Sequence, residues 1–226
     1  MAYRPFVSTD AAVSDPREVE IELGYFTLER TGRDNTITTP AVVLNFGFVK
    51  NWEAVGEFRL QASPELEITD PGLSLKGVLR EGVLQEKEGV SIAVEAGLQL
   101  PSTVPHEHGL GVQATGIVSG EVAPVTVHLN GGGGLDRDNR GFLSWGVIGE
   151  LPVHPMLRLV AEVNGESTLG RQPNNSGLVG VLWQPTSKKL VLDAGVRRGF
   201  DGAAPDWQFT LGLTFGFSLP TAFQNP

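Results

Sequence analysis

From Trp207 to Phe217 the chain reads Trp-Gln-Phe-Thr-Leu-Gly-Leu-Thr-Phe-Gly-Phe, with only apolar side chains on one parity and only Gln, Thr and Gly on the other. A β-strand sends successive side chains to opposite faces, so this segment is a ribbon with one greasy side and one polar side. Segments of similar length and alternation recur along the whole chain. That is the pattern of strands wetted by lipid on one face and by a polar lumen on the other. The fold class it implies is all-β: a transmembrane antiparallel up-and-down β-barrel.

Composition narrows the choice further. Among 226 residues, 40% of them hydrophobic, no run reaches the ~18 consecutive apolar residues that a helical span needs. Most of the 29 glycines sit inside or beside alternating segments rather than at helix caps, which favours strands. A net charge of −9 offers no basic face to a nucleic acid and fits solubility or a cation preference. The absence of cysteine excludes disulfides and thiolate metal sites. The opening Met1-Ala2-Tyr3-Arg4 lacks the apolar core of a secretory signal, so the expectation is a mature form from which the leader is missing.

Residues 1–17 carry two prolines and several Ser, Thr and Asp, and read as an extension that is periplasmic or enters the lumen. Alternation begins at Glu18, where Val19, Ile21, Leu23 and Tyr25 oppose Glu20, Glu22 and Gly24. Further ribbons are predicted near 36–49, 52–62, 72–80, 89–100, 110–122, 125–134, 141–150, 156–165, 177–184, 189–197 and 207–219. About twelve strands result, the even number that bacterial barrels use. Pro40 is expected near a rim, because a proline cannot donate to a ladder. The barrel should then occupy 18–219, with a tail at 220–226. Links at 49–51, 122–124, 150–155 and 184–188 are short. Those at 63–71, 101–109, 131–140, 166–176 and 198–206 are longer, and Gly131 to Gly134 reads as the flexible start of a loop. An even count with short links on the side of the termini places both termini in the periplasm.

The polar parity collects the ionisable groups. Glu20, Glu22, Asn45, Glu53, Glu57, Arg59, Lys76, Arg80, Glu95, Gln99, His128, Asn130, Arg158, Glu162, Asp193 and Arg197 are the predicted lumen-lining residues. A basic side chain turned to lipid near the midplane costs ~2–4 kcal/mol, so charges at this spacing belong inside. The carboxylates could form a cation-selective wall, or could pair with Lys76, Arg80, Arg158 and Arg197 to fill the lumen. A soluble sandwich or lipocalin-like barrel has the same alternation turned inside out. Trp52, Trp183 and Trp207 at ribbon ends favour the membrane form, as interfacial girdles require, although Trp145 falls in mid-ribbon.

Several phrases occur in a distinctive order: Arg4-Pro5-Phe6-Val7-Ser8-Thr9-Asp10, Val19 to Tyr25, Leu44-Asn45-Phe46-Gly47, Gly72 to Lys76, Leu98-Gln99-Leu100-Pro101, Val127-His128-Leu129-Asn130 and Leu159 to Glu162. In these the chain resembles a family of bacterial outer-membrane proteins associated with phenol meta-cleavage degradation pathways and described as transporters. The resemblance spans most of the chain. It implies an outer-membrane barrel that takes up small, often aromatic or apolar compounds.

Two constellations invite chemistry. His106 and His108 flank Glu107 at metal-ligand spacing, but they lie in a proline-flanked loop, and a polar loop is the preferred reading. His128 with Ser119 or Ser144 could form a nucleophile set, yet His128 should point into the lumen, where hydrogen bonding is the simpler role. The expectation is therefore a passive channel for small solutes rather than an enzyme, without cofactor or metal and without nucleic acid. Its partners would be membrane lipid, a small-molecule solute and the barrel-assembly machinery. A non-conducting structural barrel is the alternative, and an outer-membrane lipid hydrolase the more distant one.

Overall fold

The computed structural model describes residues 4–105, 107–185 and 190–220. Twelve strands, β1 (Glu18–Thr31), β2 (Asp34–Val49), β3 (Trp52–Ser63), β4 (Glu67–Arg80), β5 (Ser91–Gln99), β6 (Gly111–Val122), β7 (Val125–Leu135), β8 (Gly141–His154), β9 (Leu157–Thr168), β10 (Asn174–Trp183), β11 (Leu190–Gly199) and β12 (Trp207–Ser218), follow one another around a closed antiparallel barrel. Closure is made by β1 against β12, from Glu18 opposite Ser218 to Arg30 opposite Trp207. With every strand paired on both sides, no edge is left open, as a lipid environment demands.

The two parities of the sequence become the two faces of the wall. Leu73, Leu75, Leu159, Phe209 and Leu211 are exposed on the outside, while Glu22, Asn45, Glu53, Lys76 and Glu162 are buried inside. A soluble fold would do the reverse, so the inverted-sandwich alternative is excluded. A belt of large apolar side chains around the whole circumference is a surface for lipid. Trp145 belongs to this outer face, with its indole lying against Gly165 of β9, where any side chain would collide with it.

Local irregularities keep the faces consistent. At the β1–β12 seam the register skips Tyr25 between Gly24 and Phe26, so Phe26 and Leu28 stay on the outer face together with Ile21 and Leu23. Pro40 is not at a rim. It lies within β2, at a break in the β2–β3 ladder where Thr38 faces Gln61 and Ala41 faces Arg59, so its missing N–H costs no ladder bond.

Most of the longer links are shorter than the sequence implies. The segment expected as a loop at 63–71 is a tight turn at 64–66, because β4 begins at Glu67 and continues through Pro71. Gly131 to Gly134 are not a loop either, since all four are paired within β7 to both β6 and β8. The close approach requires it: a side chain at Gly134 would lie 1.9 Å from the Val112 carbonyl oxygen. The 184–188 link and the tail at 220–226 lie largely outside the described residues.

Candidate functional site

Residues 4–17 run inside the barrel, held in its half nearest the start of β1 and the end of β12. From Glu18 backward, the segment touches the wall in sequence around the circumference. The Ser14 N–H donates to Glu53 Oε2 at 2.8 Å and the Ala11 N–H to Ser119 Oγ at 2.9 Å. Thr9 and Asn130 exchange two bonds, at 3.1 and 2.8 Å. Glu162 takes the N–H groups of Val7 and Ser8, and the Arg4 N–H reaches Glu22 Oε2 at 3.0 Å. An irregular segment leaves its N–H groups unpaired, and the inward carboxylates and amides of β1, β3, β7 and β9 supply the acceptors.

Two apolar seats complement the polar ones. Phe6 packs on Val160, Leu178, Leu182 and Val191, and Ala11 is fully buried with Ala93 and Ile117, against Leu84. These inward apolar side chains stand in an otherwise largely polar lumen, with Val55, Val78, Phe142 and Ile148 buried elsewhere in it. Close fit adds to this: a side chain on Gly47 would fall 2.2 Å from the Asp15 carbonyl oxygen.

Six of the predicted lumen residues meet in four ionic groups under or around this plug. Lys76, wholly buried, lies 3.7 Å from both Glu53 and Asp10 and donates to Thr9 Oγ1 at 3.2 Å. Arg197 Nη2 binds Glu162 at 2.5 Å, and its Nη1 reaches Asn164 and Ser176. Arg158 pairs with Glu150 at 2.7 Å. Asp193 faces Arg4 at 3.5 Å. Burial pushes the Asp10 carboxyl up, but Lys76 together with further nearby positive charge and the Ala12 N–H outweighs it, and its pKa settles below the ordinary carboxylate value.

The rest of the predicted set divides by height in the barrel. Glu57, Arg59, Glu95 and Asn130 line a cavity of about 270 Å³ above the plug, floored by Phe6, Val7, Ser8 and Thr9 and flanked by Val43, Val55 and Phe142. Glu95 also accepts from Ser74 at 2.5 Å, and Gln99 bonds Gln113 at 3.0 Å. Glu20 is half-buried on the same inner parity as Glu22. Arg80 is the exception. A register shift between Val78 and Arg80 sets it opposite Ile92 of the outer row, so it is exposed at the strand end rather than in the lumen.

A second, polar cavity of about 170 Å³ lies at the far mouth. There Arg137, from the β7–β8 link, ties neighbouring loops together by donating to the Leu100 carbonyl at 2.7 Å and pairing with Glu107 at 3.3 Å and Asp70 at 3.6 Å. His106 lies outside the described residues. Glu107 and His108 are engaged with Ser102, and among the described residues no cluster of three or more His, Asp or Glu is placed to hold a metal.

The structure does join His128 and Ser119, which face each other across β6 and β7 with Nδ1 and Oγ 2.8 Å apart. Glu150 stands 3.5 Å from the other ring nitrogen, an arrangement that looks like a hydrolytic triad. Yet Ser119 and His128 are buried beneath the plug, and the serine oxygen is already the acceptor of the Ala11 N–H. Ser144 is elsewhere, opposite Gly132 and bordering the upper cavity.

Sequence reasoning missed the partners that residues 4–17 themselves supply: Arg4, Thr9 and Asp10. It also missed Glu150, the last residue of the predicted 141–150 ribbon, which shares its inner parity with Phe142 and Ile148.

The whole barrel superposes on known outer-membrane channels. It matches an outer membrane channel from Pseudomonas putida F1 with a TM-score of 0.62 at 12% identity, covering 91% of this chain and 97% of that one. It matches the NanC porin with a TM-score of 0.60 at 6% identity, covering 88% and 98%. At such identities the likeness is one of fold. No family model and no curated protein matches the sequence.

Proposed function

We propose that the chain is an outer-membrane channel for the passive entry of small solutes, with both termini in the periplasm and residues 4–17 serving as a lumenal plug. The observation that carries this reading is the water-accessible cavity of about 270 Å³ that opens above the plug and ends on it. A barrel built only as a wall has no need of a vestibule lined by both Glu57, Glu95 and Asn130 and by Phe6, Val43 and Phe142. That mixed lining suits solutes with an apolar body and a polar group, in keeping with the aromatic and apolar compounds that the family resemblance implies. The outward apolar belt, the fold shared with channels and the absence of any open strand edge support the location. Hydrolysis is disfavoured by the burial of Ser119 and His128 under the plug.

Planar-bilayer conductance tests the proposal. The full chain should pass a small current, and a variant lacking residues 1–14 a much larger one. Silence from both proteins, with each still folded, would make this a structural barrel instead.

A further inference from the structure

The outer face at the rim opposite the termini carries an arrangement that the channel reading does not use. Arg30 of β1 stands opposite Trp207 of β12, and Asn35 of β2 stands opposite Arg30. On the other side Arg197 registers with Gln208, which brings Arg198 of β11 level with Trp207, its guanidinium carbon 4.8 Å from the ring centroid. Directly below, toward the midplane, Leu28, Phe209 and Val196 make an apolar row on the same three strands. The sheet thus presents a cationic row at the water boundary and a greasy row beneath it.

The two rows border two neighbouring pockets. Arg30 and Arg198 line one cavity of about 360 Å³ with Gly32, Gly199, Asp206 and Trp207. A groove of about 440 Å³ lies between Leu28, Val196, Trp207 and Phe209, and shares Arg30 and Trp207 with it.

In a chain with nine more acids than bases, Arg59, Arg137, Arg140, Arg158, Arg171 and Arg197 each have a carboxylate within reach. Among the described residues Arg30 and Arg198 have no ion-pair partner, although both are exposed. Arg17, Arg33 and Arg80 also lack an ion-pair partner among the described residues, but Arg30 and Arg198 share one cavity and border one indole. Asp206 is the carboxylate that shares their cavity, and its Oδ2 already accepts the Gly32 N–H at 2.7 Å. Arg30 spends one N–H on the Gly32 carbonyl at 3.3 Å and keeps the remainder of its fork. A single arginine at a rim needs only to reach up to water. Two on either side of one indole, opening into one cavity above an apolar groove, match a phosphate oxyanion joined to an acyl chain.

We propose that this surface binds a membrane lipid with an anionic phosphomonoester headgroup, the phosphate between Arg30 and Arg198 and an acyl chain along Leu28, Phe209 and Val196. The proposal rests on the reading that the outer face meets lipid.

Native mass spectrometry of the full chain in detergent tests it, with diphosphoryl lipid A, its dephosphorylated form and phosphatidylcholine as probes. Diphosphoryl lipid A should be retained about tenfold better than the other two, and R30Q/R198Q should abolish that preference. R171Q, at an exposed loop, should leave it intact. Equal retention of the three lipids, retention undiminished in R30Q/R198Q, or an equal loss in R171Q would overturn the site. Displacement by inorganic phosphate alone would assign a free-anion site instead and overturn the lipid. The shift in gel mobility on boiling reads the barrel separately: a protein that shows the shift and ignores lipid phosphate refutes only this site.

Discussion

Glu162 Oε1 accepts the backbone N–H of Ser8 at 2.8 Å, across 154 positions of sequence. The same carboxylate takes the Val7 N–H at 3.1 Å and the Arg197 guanidinium at 2.5 Å. One wall residue therefore holds the plug and neutralises a buried arginine at once. Glu162→Gln keeps an acceptor but loses the charge, and should weaken the docking of residues 4–17 by about 2–3 kcal/mol. The open population should rise roughly 30- to 150-fold, read as open probability in planar bilayers. An unchanged open probability in a folded variant would mean that the plug is held elsewhere.

Gly47 tests the same docking by volume rather than charge. Ser14 and Asp15 pass so close to it that a new Cβ would stand 2.4 and 2.2 Å from their carbonyl oxygens. Neither contact can be relieved by turning a side chain, because both are backbone. Gly47→Ala should displace the segment where it enters the lumen, raise conductance, and leave the boiling-dependent gel shift in place.

The outer face makes a contrasting prediction. Leu211 is 52% exposed in the middle of β12, whereas Val122 is 72% exposed at the end of β6. Leu211→Arg should cost ~2–4 kcal/mol in folding into vesicles, and Val122→Arg only ~0–1, because the penalty falls toward the interface. Equal costs at the two depths would contradict the assignment of this face to lipid.

Glu81 supplies a pH signature at the turns on the side of the termini. It pairs with Lys50 at 2.9 Å and with Lys87, and accepts from Asn51 at 3.0 Å. The hydrogen bond from Lys87, then those from Lys50 and Asn51, lower its pKa from 4.5 to about 2. Because the folded value lies below the unfolded one, its contribution is complete above the unfolded value and is lost as pH falls through about 2. Its partners Lys50 and Lys87 are exposed, so the contribution is small and weakens with salt. A carboxyl resonance that titrates near the ordinary glutamate value would dismiss the cluster.

The barrel was legible because its signal is local and repeated. Each ribbon carries its own period of two, so Val90 to Leu98 or Leu190 to Val196 declare their faces without any knowledge of their neighbours. Irregularities were not legible for the opposite reason. The bulges at Tyr25 and before Arg80, and the break at Pro40, depend on what the adjacent strand does, and one residue of slip reverses a face. The plug was half visible: prolines and small polar residues marked 1–17 as irregular, but no local pattern tells a segment that it will find Glu162 or Asn130. Gly131 to Gly134 misled because glycine signals both turns and close approach, and only the register with β6 and β8 separates the two.

Ser119 and His128 give the sharpest choice between chemistry and scaffolding. A serine 2.8 Å from an imidazole, with Glu150 on the ring's other side, has the parts of a nucleophile set. For catalysis the serine oxygen must meet a substrate, but here it is buried and accepts the Ala11 N–H at 2.9 Å. A scaffolding role predicts that Ser119→Ala leaves one plug N–H unsatisfied, at a cost of ~1–3 kcal/mol, and raises open probability accordingly. It also predicts that hydrolysis of a short-chain nitrophenyl ester stays at background in the unaltered protein, in Ser119→Ala and in His128→Ala alike. Ester turnover that disappears in both variants, with no change in conductance, would reassign this pair from holding the plug to breaking a bond.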